Sequence, residues 1–238
     1  MTTTKEVHAS TDLSIVDDTP STWARIAGVS GILAAVLWFG MGAAIASGSP
    51  YLGDSADDIR TWMQDNQGKV ATFTVGMGLA MTLLLVFGAG LRSHLARVDR
   101  TGYLHTLFFG AVVANVAGGL VGLTYWAVLS HDVASQFSDD VVLALSALDS
   151  IFFFGLLPWT FAAMLIAASI VIVQSRIMPA WLGGLGLLCG VATAVSTLWV
   201  VSGDADSFLA QGPGFIGFLG TLLWIAIVGG FLVRGERA

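Results

Sequence analysis

Hydrophobic positions in this chain do not alternate with polar ones; they come in six long runs. The runs are roughly Ile26–Ser47, Val70–Leu91, Tyr103–Leu129, Ile151–Val173, Ala180–Val201 and Pro213–Val233, and none holds a Lys, Arg, Asp or Glu. A helix needs ~20 apolar residues to cross hydrocarbon. Only helices and closed barrels satisfy every backbone polar group there. The pattern predicts an all-α, polytopic membrane protein, a six-transmembrane-helix bundle over residues 23–238. Residues 1–22 are rich in Thr, Ser and Asp with few large apolar side chains, which predicts a disordered N-terminal tail.

Composition agrees. Apolar residues make up 55% of the chain and charged residues 11%, against ~45–50% and ~25% in soluble domains. The connections are too short to form a further domain. Ala44-Ile45-Ala46 resembles a signal-peptidase site, but the run from Ile26 exceeds the ~7–15 residues of a signal h-region. Glu6, Asp12, Asp17 and Asp18 precede it, so an uncleaved first helix is expected.

Charge placement orients the bundle. Of ten basic residues, Lys5, Arg25, Arg92, Arg97, Arg100, Arg176, Arg234 and Arg237 fall on one side, leaving only Arg60 and Lys69 on the other. The positive-inside rule then puts both termini in the cytoplasm of a multi-pass plasma-membrane protein. The loop aspartates gather on the outer side. Trp23, Tyr103 and Trp181 are expected as inner interfacial anchors, with Tyr125, Trp126 and Trp199 as outer ones. Pro20, Pro50, Pro179 and Pro213 read as span boundaries, leaving Pro158 as the one proline inside a span.

Two loop segments carry their own pattern. Ser55-Ala-Asp-Asp58 reads as a capping box. Ile59, Trp62 and Met63 then follow at helical spacing, predicting a short amphipathic helix at the outer surface. Val141, Val142, Leu145 and Leu148 predict that the fourth helix starts outside the hydrocarbon and runs into it.

Within the spans, packing has to rest on close backbone approach, since lipid supplies no hydrophobic drive between helices. The chain has 29 glycines, with Gly118/Gly122 and Gly186/Gly190 in G-x-x-x-G and Gly214, Gly217 and Gly220 along the sixth span. Such faces serve either a homodimer seam or, more commonly, intrachain packing. Pro158 leaves the Phe154 carbonyl without its helical donor and should interrupt the fourth helix. Asn115 sits near the middle of the third span and needs an interhelical partner; Thr82 and Thr193 lie at comparable depth and are candidates to supply one. Asn115, Pro158, Thr82 and Thr193 are therefore the candidate cavity residues.

Little else in the sequence carries chemistry. Cys189 is a lone cysteine inside the fifth span, read as a packing residue. Deep paired histidines for haem are missing, as is an intramembrane lysine for a Schiff base. No phosphate-binding glycine pattern lies between a strand and a helix, and no basic surface suits nucleic acid. The outer aspartates lack EF-hand spacing. No cofactor or resident metal is expected, and the expected partners are the lipid bilayer and a membrane-protein partner or second copy.

Two stretches resemble a known group. Arg176-Ile-Met-Pro-Ala-Trp-Leu-Gly-Gly-Leu-Gly-Leu187 is similar to the P-x-W-L-G approach to the fifth helix in a group of uncharacterised six-helix integral membrane proteins of bacteria. The loop Asp57-Asp58-Ile59 through Asn66-Gln67-Gly68-Lys69 resembles its actinobacterial members. The resemblance implies the six-helix layout and supplies no catalytic residues. The leading functional expectation is a non-catalytic accessory, regulatory or partner-binding membrane protein. The alternative is a small-solute transporter or channel with a polar site near Asn115 and a break at Pro158. An enzyme would require His94 or His105 beside an acid such as Asp99 in a pocket.

Overall fold

The computed structural model describes residues 22–46, 48–50, 52–203 and 208–235. The expectation for the N-terminal tail falls on residues 1–21, outside the described residues, and on Thr22, which starts the first helix. The described residues form helices and no strand: α1 (Thr22–Ala46), α2 (Ala56–Asp65), α3 (Gln67–Leu95), α4 (Leu104–Ser130), α5 (Asp139–Ile151), α6 (Pro158–Ser175), α7 (Ala180–Ser196), α8 (Trp199–Ser202) and α9 (Phe208–Arg234). Among them are six segments long and apolar enough to cross a membrane, with α5 and α6 joined as one of 37 residues. The early start of the fourth span, at Asp139, matches its sequence pattern. Pro213 stands at the start of the sixth span, Gly212–Arg234, as expected, yet inside the longer helix α9. The helix begins at Phe208, so the proline follows more than a turn of helix.

The six spans form a closed ring in the order α1, α3, α4, α6, α7, α9, with α9 returning to α1. Each seam is brought close by glycine. A β-carbon on Gly90 would meet Ala27 across α1–α3, and one on Gly88 would meet Val112 across α3–α4. Gly122 faces Phe153 at the α4–α6 seam, and Gly190 faces Ile166 at α6–α7. Gly220 lies on Cys189 between α7 and α9, and Gly28 and Gly229 meet backbone to backbone where α9 closes on α1. The glycine faces read from the sequence are thus used within the chain.

Side chains fill the ring's centre. Trp38 of α1 packs at a tilt against Phe161 of α6, which is not its ring neighbour, with ring centroids 5.3 Å apart. Met81, Leu84, Phe87, Phe108, Met164, Leu165 and Trp224 are all 0% exposed. The Trp224 indole, which hydrocarbon-like surroundings would leave unsatisfied, donates to the Leu182 carbonyl at 3.0 Å. A smaller core under α2 joins Ile59 and Met63 to Val70, Leu129 and Val142.

At the arginine-rich end, Trp23, Tyr103 and Trp181 are 77%, 68% and 56% exposed, as interfacial anchors should be. The α2 end departs from expectation. Trp199 is 8% exposed and Trp126 packs between Trp62 and Phe73. The Trp199 indole has an acceptor inside the protein, the Phe154 carbonyl, which draws it off the surface.

Candidate functional site

Three polar arrangements interrupt the apolar bundle. The deepest is at Asn115, which is 0% exposed. Its Nδ2 donates to Thr160 Oγ1 at 2.8 Å, and Thr160 Oγ1 donates to the Leu157 carbonyl at 2.7 Å. Asn115 Oδ1 is buried without a partner among the described residues. Neither candidate partner read from the sequence is the one used. Thr82 is exposed and donates to Gly78 of its own helix at 3.0 Å. Thr193 is buried, donates to Cys189 at 2.8 Å and packs against Gly217 of α9. Each threonine hydroxyl satisfies itself on its own backbone, the habit of Ser and Thr in helices. Thr160 went unnoticed in the sequence because it reads as part of the proline break; its place one turn from that break was the available signal.

Pro158 interrupts the fourth span as expected, through a change of helical register. Residues Phe152–Leu156 are π-helical, the Leu157 N–H donates to the Phe152 carbonyl at 2.8 Å, and α6 restarts with Pro158 in its first turn. The Phe154 carbonyl, robbed of its donor by the proline, accepts the Trp199 indole N–H at 3.1 Å. A helix break deep in a bundle is thereby closed from a neighbouring segment, as a span without water requires.

The second arrangement lies under α2. Ser55 Oγ accepts the Asp58 N–H at 3.2 Å and donates to Asp58 Oδ2 at 2.6 Å, so Ser55 caps α2 as expected, with its hydroxyl rather than its backbone N–H meeting the Asp58 carboxylate. Arg60 clamps α2 onto the next layer, reaching Asp139 Oδ1 at 2.6 Å and the Phe137 carbonyl at 2.7 Å. Beneath this clasp is a cavity of about 20 Å3 lined by Pro50, Ile59, Met63, Tyr125, Trp126 and Leu129, with Ser146, Asp149 and Ser150 of α5. The Trp126 side chain lies beside Asp149 in this lining. Asp149 Oδ1 is buried with no partner among the described residues. In the sequence Asp149 is one of the loop aspartates of the outer side, just before the charge-free run that starts at Ile151. The spacing Ser146, Asp149, Ser150, three polar positions on one helical face, was the overlooked signal. A second, open groove on the other side of Pro50 is lined by Asp54, Asp58, Trp62 and Asp65. No cluster of three or more His, Cys, Asp or Glu able to hold a metal occurs among the described residues.

The third arrangement is the turn between α3 and α4. Asp99 Oδ1 accepts from Thr101 N–H at 3.1 Å and Thr101 Oγ1 at 2.7 Å. Its Oδ2 accepts from His105 N–H at 2.9 Å and faces His105 Nδ1 at 3.0 Å. A carboxylate only accepts, so Nδ1 carries the hydrogen. This is the His–acid pair an enzyme reading called for. Yet the carboxylate is 3% exposed and all its contacts close the turn and cap α4, which is structural work. The bond from the Thr101 hydroxyl, and then those from His105, hold Asp99 far below the usual carboxylate range against the opposing effect of burial. A folded value below the unfolded one gives stability that is full above the ordinary carboxylate value of ~4 and is lost as pH falls further. Thermal unfolding in detergent should therefore weaken progressively below about pH 4. Asp99→Asn should be less stable at neutral pH and lose part of that acid sensitivity; an unchanged acid profile would exclude this role.

Compared with known proteins, the chain matches the profile of one family, described as "Domain of unknown function (DUF4386)", over residues 26–229. No curated protein and no solved structure matches it.

Proposed function

Because the chain belongs to the DUF4386 family of domains of unknown function, we propose its role from its geometry: a non-catalytic, multi-pass membrane protein that works by binding a membrane partner. The observation that carries this reading is the filled centre of the helix ring. Trp38 and Phe161 meet across it, and Asn115, the deep amide, is 0% exposed and tied to Thr160. The two cavities at the α2 end are not lined by Asn115. With the interior occupied, the outward faces are the surface left for recognition. They carry large apolar side chains such as Val36, Phe39, Val75, Phe154 and Phe215. Purification in mild detergent followed by mass spectrometry should recover a stoichiometric protein partner or self-association. Recovery only as a monomer carrying a small molecule would overturn the reading.

One observation favours the alternative, a small-solute transporter or channel. The π segment before Pro158 lies one turn from Thr160, the partner of the Asn115 amide nitrogen, and π-helical turns are frequent at functional sites. A co-purifying small molecule lost in Asn115→Ala would support it.

The same reading places both termini in the cytoplasm and the protein in the plasma membrane. Arg25, Arg92, Arg97, Arg100, Arg176 and Arg234 all cluster at one end of the spans, which supports that orientation. With Cys189 replaced by serine, an impermeant maleimide applied to whole cells should label a cysteine at Asp58 and spare one at Arg97. The reverse pattern would refute the orientation.

A further inference from the structure

We propose that the cavity beneath α2 binds one small monovalent cation of sodium's size, with the Asp149 carboxylate as its charged ligand. The cavity of about 20 Å3 has room for a single particle no larger than water, which needs roughly 10–15 Å3. Three oxygen-bearing side chains, Ser146, Asp149 and Ser150, come to it from one face of α5, and Tyr125 joins from α4.

The carboxylate is short of partners. Trp126 lines the cavity beside it, and Oδ1 is buried with no hydrogen-bond partner among the described residues. A buried carboxylate needs a compensating charge or donor. The cation on the neighbouring helix is engaged elsewhere: Arg60 binds Asp139, Asp57 and the Phe137 carbonyl. The remaining charged groups of α2 near this end, Asp58 and Asp65, line the outer groove and carry the same sign as Asp149. On α4, His131 Nδ1 accepts the Val133 N–H and terminates the helix. Tyr125 is the one other titratable side chain lining the cavity.

Charge and size select the ion class. A single carboxylate balances one positive charge. Calcium takes ~6–8 oxygens and magnesium keeps several waters, neither of which fits a one-particle cavity. Hydroxyl and carboxylate oxygens suit a hard alkali cation. The groove bearing Asp58 and Asp65 adjoins the cavity at Pro50, and its negative potential raises the local concentration of cations there.

The test is thermal unfolding of the purified full-length chain in detergent, at fixed pH and ionic strength, with sodium chloride exchanged for N-methylglucamine chloride. Sodium should raise the unfolding temperature saturably by about 2–4 °C, the shift expected for ~1 kcal/mol of linked binding in a chain of this size. Asp149→Asn should abolish that increment. Ser146→Ala with Ser150→Ala, which keeps the carboxylate and costs no core packing, should raise the half-saturating sodium concentration several-fold. Identical unfolding in both salts would overturn the proposal, as would a full sodium increment in Asp149→Asn. Stabilisation by acid alone, without any sodium response, would also overturn it and assign the site to a proton.

Discussion

Gly28→Val should leave little folded protein, whereas Gly40→Val, in the same helix, should be tolerated. A β-carbon at Gly28 would overlap the Gly229 carbonyl oxygen and press on the backbone of Val233. The obstacle is main chain, not the flexible end of a side chain, so relief requires α9 to move away from α1. Overpacking in a close-packed interior costs ~1–3 kcal/mol and more where nothing can yield. Displacing α9 also loosens its seam with α7, where Gly217 lies against Thr193. At Gly40 a β-carbon meets nothing within 4 Å, so the matched substitution reports only the helical preference of valine, a few tenths of a kcal/mol. Detergent size-exclusion profiles and unfolding temperatures of the two variants measure the contrast. Equal behaviour would mean that the α1–α9 contact is looser than described.

Trp199→Phe should destabilise the protein, and Pro158→Ala should recover part of the loss in the double variant. The first change removes the donor to the Phe154 carbonyl, and a buried group left unsatisfied costs ~1–3 kcal/mol. The second restores an N–H at position 158, four residues after that carbonyl, so the α-helical bond denied by proline becomes available again. Interaction energies of coupled pairs run ~0.5–3 kcal/mol. A double variant as unstable as the sum of the two singles would show that Trp199 acts by packing alone.

These cases show how far the sequence could be read. Span number, the Ser55 cap of α2 and the early start of the fourth helix follow from periodicity and composition, because a bilayer demands length and apolarity in each helix separately. Partner choice does not follow. The sequence offers Asn115 two threonines at comparable depth, Thr82 and Thr193, yet it meets Thr160, and that choice depends on the rotation of α4 against α6. That rotation is set by Gly118 and Gly122 against Phe152, Phe153 and Leu157. The π register is equally invisible beforehand. Pro158 announces a break, but Trp199, more than 40 residues later, decides how the freed carbonyl is satisfied. Asp149 was visible and given no role for a different reason. It stands just outside a charge-free run, and Ile59 and Met63 of α2, distant in sequence, complete the cavity it lines.

The ring order also bears on biosynthesis. Five of its seams join helices that follow one another along the chain as spans, and these can zip up as each emerges from the insertion machinery. The sixth joins the first span to the last. Until α9 is inserted, the glycine face of α1 and the Thr193 face of α7 remain open to lipid. The nascent protein is then an incomplete arc with two sticky edges. A backbone contact as tight as Gly28 on Gly229 makes its closure the natural checkpoint between a finished molecule and one held for degradation.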